Sequence, residues 1–428
     1  MPISLRQANR FLLTRQHLLQ PITDPIQAAI DACGLQAQIP STPALSLRAR
    51  VSGFTRADYD RLLKQEKRLV RTWAMRGTVH TLPTERLAQY IRLRRNGLDG
   101  YEHYLQADSA QLAVEADLVL RLLAERPASR QELARIAVER GLVTPERAAH
   151  LFGPWGGILH YLGRSGHTVH LPDEGRDVRL VRIEEWLGAP LPAEPIEVLE
   201  DRLLADYLAG YGPATVHDFA HFLTIPVGRA QAIFDRAATS EDTASLAPQE
   251  VAARRAPNLA EVDLAPQEVA ARRAPNLAEV GIAARRAPNL AEVGVAARRA
   301  PKLAEVELEG SKRKHYLPAA LLPELLAMTG EEEAPVHLLP RFDSLLLVHQ
   351  VKDRFLRPED VKKVFKPAAV VDATVLVDGW VVGTWTTKPT TKALRFQFHP
   401  FRRTAVRPIK AAAARLAAWY GLKLEWHE

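Results

Sequence analysis

The sequence predicts an α+β, mostly helical protein made of three tandem winged-helix modules with a C-terminal β-hairpin-rich portion. Three observations carry that expectation. Three stretches repeat one order of helix, helix, helix and short two-stranded hairpin, which is the winged-helix layout. Their helices begin at capping residues, among them Asp24 before Pro25, Ser129 with Glu132, Thr144 and Thr215. Near the C-terminus Asp378-Gly379 separates two alternating apolar runs, a strong two-residue hairpin signal.

The first module is placed at 1–105. Leu5, Ala8, Phe11, Leu12 and Leu19 form an apolar stripe on an opening helix, with helices expected near 42–51 and 55–66. LVRTWA and TVHTL, joined through Met75, Arg76 and Gly77, read as its wing. The second module is placed at 106–190, with helices LVLRLLAE, SRQELARIAVERG and TPERAAHLFG and strands near 167–171 and 178–183 around the turn DEGRD. The third occupies 191–428 together with the C-terminal hairpin and helix. Its helices are RLLADYLAGYG, TVHDFAHFL and VGRAQAIFDRAA, and its wing strands are AEVELEG and KRKHYLP around Gly310.

A repeat insertion at 247–306 interrupts the third module. VAARRAPNLAEV stands at 251–262 and 269–280, IAARRAPNLAEV at 282–293 and VAARRAPKLAEV at 295–306. So short a period, with a proline in every copy, cannot build the paired helices of a solenoid. The pattern reads as tandem duplication of one strand-entry segment, with the last copy in the strand position. A basic arm made from the Arg-Arg pairs is the alternative.

Composition narrows the class. Of 428 residues 47% are hydrophobic, enough for several cores. No uncharged apolar run is long enough to span a membrane, and MPISLRQANRFLL lacks an apolar signal region. The single cysteine, Cys33, excludes internal disulfides and fits a reducing, cytoplasmic setting as a small buried residue. The formal charge is +7, unevenly spread: net +9 over residues 1–100, +6 over 392–428 and −8 between. Basic ends around an acidic middle suit a polyanion that touches both ends, although arginine-rich surfaces also serve solubility alone.

Residues 34–40 read GLQAQIP, and Gln36 and Gln38 stand out in them. A regular helix would aim residues two apart about 200° from each other. Pro40 pushes Ile39 towards extended backbone, so the helix is expected to fray or end here and both amides to face one cleft. The plain alternative is two polar residues on a helix end, bonded to the backbone.

The chain resembles the AlkZ-like DNA glycosylases. The phrases that carry the likeness are RQANRFLLTRQHLL, GLQAQ, MRGTVHTL, GPWGGILHYLGR, GYGPATVHDFAHF, LLPRFDSLLL and VLVDGWVVGTW. Their joint order is more telling than any one of them. In that family a Gln-x-Gln or Gln-x-Asp motif carries catalysis, and Gln36 and Gln38 match the first type. The resemblance implies release of bulky N7-alkylpurines by hydrolysis without a lyase step, with interstrand crosslinks unhooked by the Gln-x-Gln type. It implies a monomer acting on double-stranded DNA that contains alkylated purines, near the nucleoid, without metal or organic cofactor.

The chemistry agrees with the residue types. Alkylation at N7 of guanine makes the base cationic and a good leaving group, so no general acid is required. What remains is to stabilise an oxocarbenium-like sugar and to place a water. A carboxamide cannot serve as a base at neutral pH, but it holds and orients water through its oxygen and its NH2. DNA-binding candidates are Arg76 and His80 on the first wing, Trp380 at the hairpin tip as a groove wedge, and Arg403, Arg407 and Lys410 before and on the last helix. Each also has a plain surface or packing reading. Arg341 and Asp343 are read as a buried ion pair that fixes the third module. His217 and His221 imitate a zinc pair, but the motif position between them is Asp218 and no third ligand follows. Two rivals remain: a non-catalytic winged-helix transcriptional regulator, and a scaffold that uses the repeat arm. Removal of 247–294 abolishes function only in the second.

Overall fold

A computed structural model describes residues 2–93, 101–153, 157–172, 178–239, 301–329 and 335–427. The turn DEGRD and the first three repeat copies lie outside them. The chain is mixed α and β. Over the first stretch the order is α1 (Leu5–Arg15), α2 (Pro25–Asp31), β1 (Leu35–Gln36), α3 (Thr42–Arg50), α4 (Arg56–Asp60), β2 (Leu69–Trp73), β3 (Val79–Pro83) and α5 (Leu87–Arg92). The Asp24 carboxylate accepts from the amides of Ile26 and Gln27, which starts α2 at its proline.

The second stretch runs α6 (Tyr101–Leu105), α7 (Ser109–Glu125), β4 (Ala128–Ser129), α8 (Arg130–Glu139), α9 (Pro145–Leu151), α10 (Gly157–Arg164), β5 (Thr168–His170), β6 (Arg179–Arg182) and α11 (Ile183–Leu187). Ser129 and Glu132 form a reciprocal capping box on α8. The strands of both stretches join in one sheet of order β1-β3-β2-β5-β6-β4, closed between them by the pair Arg71 and His170.

The third stretch begins with α12 (Ile196–Tyr211), α13 (Val216–Leu223), α14 (Val227–Thr239), β7 (Leu303–Val306) and β8 (His315–Pro318). β7 is the LAEV of the last repeat copy, paired antiparallel with β8. After α15 (Leu322–Ala327) and β9 (His337–Leu339) come α16 (Ser344–Leu347), α17 (Val361–Val364), β10 (Phe365–Lys366), β11 (Val370–Val371), β12 (Thr374–Val377), β13 (Trp380–Pro389), β14 (Ala393–Pro400), α18 (Val406–Trp419) and β15 (Lys423–His427). Five of these strands form a sheet of order β15-β14-β13-β12-β9. Asp378 and Gly379 both have positive φ, as a two-residue turn between β12 and β13 requires.

α12 is the pillar of the core. Leu203, Leu204, Tyr207, Leu208 and Tyr211 along it are wholly buried, and it packs on α1, α2, α5 and α14. A helix apolar around most of its girth belongs inside. At its end a Cβ on Gly210 would stand 2.0 Å from the carbonyl oxygen of Asp31, so only glycine lets the end of α2 approach this closely. Gln16 sews the junction by donating to the carbonyls of Asp31 and Gly210, and the Tyr211 hydroxyl donates to Ala32 O at 2.8 Å. The loop between α2 and α3 therefore starts from a fixed point. Among the described residues no helix is long and apolar enough to cross a membrane.

Candidate active site

α2 ends at Asp31, and Cys33 and Gly34 then turn the chain through positive φ values of 47° and 86°. The segment does not fray as a helix end. Leu35 and Gln36 form strand β1, added to the edge of β3 with Gln36 opposite His80, and the amide of Ala37 continues the ladder to Val79 O at 2.7 Å. The expected helix end falls earlier, at Asp31. Long-range pairing with β3 imposed extended backbone on Leu35 and Gln36 where local signals suggested only a helix terminus, and Gln38 lies beyond the strand. Gln36 is buried at 5% exposure, and Gln38 is exposed.

Arg76 comes to Gln36 from the β2–β3 turn. Its Nη2 donates to Gln36 Oε1 at 3.1 Å and lies 3.5 Å from His80 Nε2. Thr78 O can only accept, so His80 Nδ1 at 3.0 Å is the protonated nitrogen and Nε2 faces Arg76 with its lone pair. Arg76 has φ 56°, followed by Gly77 at φ 69°. A non-glycine residue in this left-handed region costs of order 1 kcal/mol and points to function when it occurs at a site.

The turn is braced from the second stretch. His160 Nε2 donates to Gly77 O at 3.1 Å, so its Nδ1 accepts from the Tyr101 hydroxyl. On the other side α13 packs against the turn. His221 on α13 and Lys352, in the loop after α16, both feel the charge of Arg76. Burial without a carboxylate pushes Arg76 down to about 10 and Lys352, beside Arg76, to about 8. Burial and these two cations also lower His221. Lys352 is held by the carbonyls of Leu347 and His349. Arg76 Nη1 is buried and meets no partner among the described residues. The result is a neutral amide, that of Gln36, edged by cations, with the Arg76 Nη1 donor open to an anion.

Sequence reasoning missed Lys352 altogether and read His221 only as a false zinc ligand. The described residues hold no cluster of three His, Cys, Asp or Glu side chains able to bind a metal. No local signal marks Lys352, because only the fold brings it within the electrostatic reach of Arg76. Trp380 is half-buried at the β12–β13 tip. That tip rests on α1 through a 2.8 Å ion pair between Asp378 and Arg6, and Trp380 lines a small crevice there with Asn9 and Arg10. Arg403, Arg407 and Lys410 are exposed at the start of α18, and no hydrogen bond joins them to the Gln36 group among the described residues. The expected pairing of Arg341 with Asp343 is corrected. Asp343 binds Arg50 at 2.7 Å, both wholly buried, while Arg341 reaches Asp372 at 3.8 Å on the surface. The buried carboxylate engages the guanidinium that α3 carries inside the core.

Residues 31–278 and 281–419 match the family model described as DNA glycosylase AlkZ-like. A curated relative, the interstrand DNA cross-link repair glycosylase of Streptomyces sahachiroi, is 29% identical over 235 residues, which are 53% of this chain and 62% of that relative's length. The matched stretch thus falls short of two thirds of the relative. The solved structure of Streptomyces sahachiroi DNA glycosylase AlkZ is similar with a TM-score of 0.73, covering 100% of both chains at 22% identity, a likeness of fold.

Proposed function

The chain belongs to the AlkZ-like DNA glycosylase family, and from that premise we propose that it is a monofunctional glycosylase. It hydrolyses the N-glycosidic bond of N7-alkylated, cationic purines in duplex DNA and unhooks interstrand crosslinks formed through them. The observation that carries this reading is the Gln36 carboxamide, fixed by Arg76 at 3.1 Å beside His80, with Gln38 exposed two residues on.

In this reading Gln36 keeps one oxygen lone pair engaged by Arg76 and offers the other to a water. Gln38 supplies the second amide from the exposed side. A neutral oxygen beside C1′ stabilises developing positive charge on the sugar; the C1′–N9 bond breaks with its electron pair leaving on the now neutral alkylpurine, and the oriented water bonds to C1′ and gives a proton to solvent. Arg76, with its vacant Nη1 donor, and Lys352 hold the phosphates flanking the lesion. Duplex DNA lies across three winged-helix modules, 1–105, 106–190 and 191–428, with the protein acting as a monomer. Trp380, Arg403, Arg407 and Lys410 contact the duplex outside the lesion.

The test is direct. Purified protein is incubated with duplex containing N7-methylguanine, and free base and heat-labile abasic sites are measured. Gln36→Ala and Gln38→Ala are expected to bind duplex as the parent does and to release base at least about 100-fold more slowly, the range for loss of one preorganised polar group. Base release by the parent protein at the background rate would overturn the proposal and leave a non-catalytic DNA-binding regulator.

A further inference from the structure

α3 leads away from the Gln36 loop, and a cavity of about 510 Å³ opens at its far end. The cavity lies between the end of α3, β9 and α18. Arg48 from the last turn of α3, Arg415 from α18 and His337 from β9 line it together with Phe54, Trp419 and Leu338. Its described lining contains no Asp or Glu. Among the described residues neither guanidinium has an ion pair or hydrogen bond, and His337 Nε2 is buried without a partner. The Trp419 indole N–H is already engaged by Phe54 O at 2.8 Å, so the indole gives the cavity apolar surface. Burial and the like charge of Arg415 push Arg48 down to about 10. Among the described residues no carboxylate answers these two cations, and an anion seated between them is attracted by both.

We propose that this cavity is a second binding site, separate from the Gln36 centre, for a nucleoside phosphate. The phosphate lies between Arg48 and Arg415 and the base against Phe54 and Trp419. Guanidinium forks match phosphate oxygens, and the aromatic and aliphatic wall buries a base. The volume falls in the range of small-ligand sites, about 300–1,000 Å³. Free nucleotide and the phosphorylated end of a DNA strand share this chemistry.

Titration calorimetry on the full chain tests it, with 5′-dGMP, inorganic phosphate, deoxyguanosine and a 5′-phosphorylated single-stranded pentanucleotide. We expect 5′-dGMP to saturate with Kd below about 1 mM, and phosphate and deoxyguanosine each to bind at least about tenfold more weakly. Arg415 is exposed, so Arg415→Gln preserves folding, and it should weaken 5′-dGMP at least about tenfold. Gln36→Ala should leave this binding unchanged. A pentanucleotide tighter than 5′-dGMP assigns the site to strand ends, and a weaker one assigns it to free nucleotide. Three outcomes overturn the proposal: no saturable heat with 5′-dGMP, binding indifferent to Arg415→Gln, or binding lost in Gln36→Ala.

Discussion

Arg50 donates to both oxygens of Asp343, 2.9 and 2.7 Å away and 293 positions distant in sequence, and both side chains are wholly buried. The next residue, Ser344, donates to Gly34 O at 2.9 Å. Two consecutive residues of LLPRFDSLLL therefore hold the chain immediately before β1 and at the end of α3. Between these two points lie Gln36 and Gln38. Ser46, also on α3, adds a third hydrogen bond to Asp343 at 2.8 Å.

Asp343→Ala leaves the Arg50 charge buried and unpaired, which costs about 3–5 kcal/mol. Urea unfolding should show that loss, and base release per folded molecule should fall as well. Arg50→Met combined with Asp343→Leu should recover most of the stability, because a hydrophobic pair of similar volume replaces a buried ion pair at little cost. A single variant within about 1 kcal/mol of the parent would show that the pair does not hold this loop.

Arg76→Gly should separate stability from activity. The variant removes a left-handed arginine and a buried cation without a carboxylate. The thermal midpoint should hold or rise, since glycine relieves about 1 kcal/mol of backbone strain. Base release should fall by about 100-fold, because the Gln36 amide loses its anchor. A large drop in midpoint would mean that Arg76 supports the fold instead.

Lys352 predicts opposite responses to alkaline pH. An ordinary lysine titrates near 10.5, and burial brings this one to about 8. Between these values the unfolded chain carries the extra proton, so this group makes stability rise with pH across that window, its penalty being complete below about 8. Duplex affinity should move the other way, falling as the ammonium that meets phosphate is lost. Lys352→Arg should abolish the fall, because arginine stays charged. Affinity that declines equally in the variant would remove Lys352 from the DNA contact.

A pair of carboxamides cannot protonate a leaving base. Duplex with N7-methylguanine should lose its base at least about 1,000-fold faster than duplex with uracil, whose departure needs the help of an acid. Comparable rates on both substrates would overturn the reading in which the carboxamides act only on a cationic leaving group.

The helices were legible because their signals are local. Asp24, Ser129, Thr144 and Thr215 each satisfy amides within three residues, so composition and spacing were enough to place them. The same holds for the turn at Asp378-Gly379, where positive φ selects the residue types. Gln36 and Gln38 stood out through their position in GLQAQ and the family likeness. Their backbone was not legible. Strand β1 exists only because β3 lies beside it, and an edge pairing across 44 positions leaves no periodicity in two residues. Distance likewise hid the partner of Asp343: Arg341 was near in sequence, but α3 delivers Arg50 into the core. Lys352 carries no motif, and only the fold sets its charge within reach of Arg76. Sequence by itself thus determined where the capped helices start and where the Asp378-Gly379 turn lies, since those choices rest on hydrogen bonds and backbone angles a few residues long. Tertiary structure alone decided which charges meet, because burial and long-range contact set that energy.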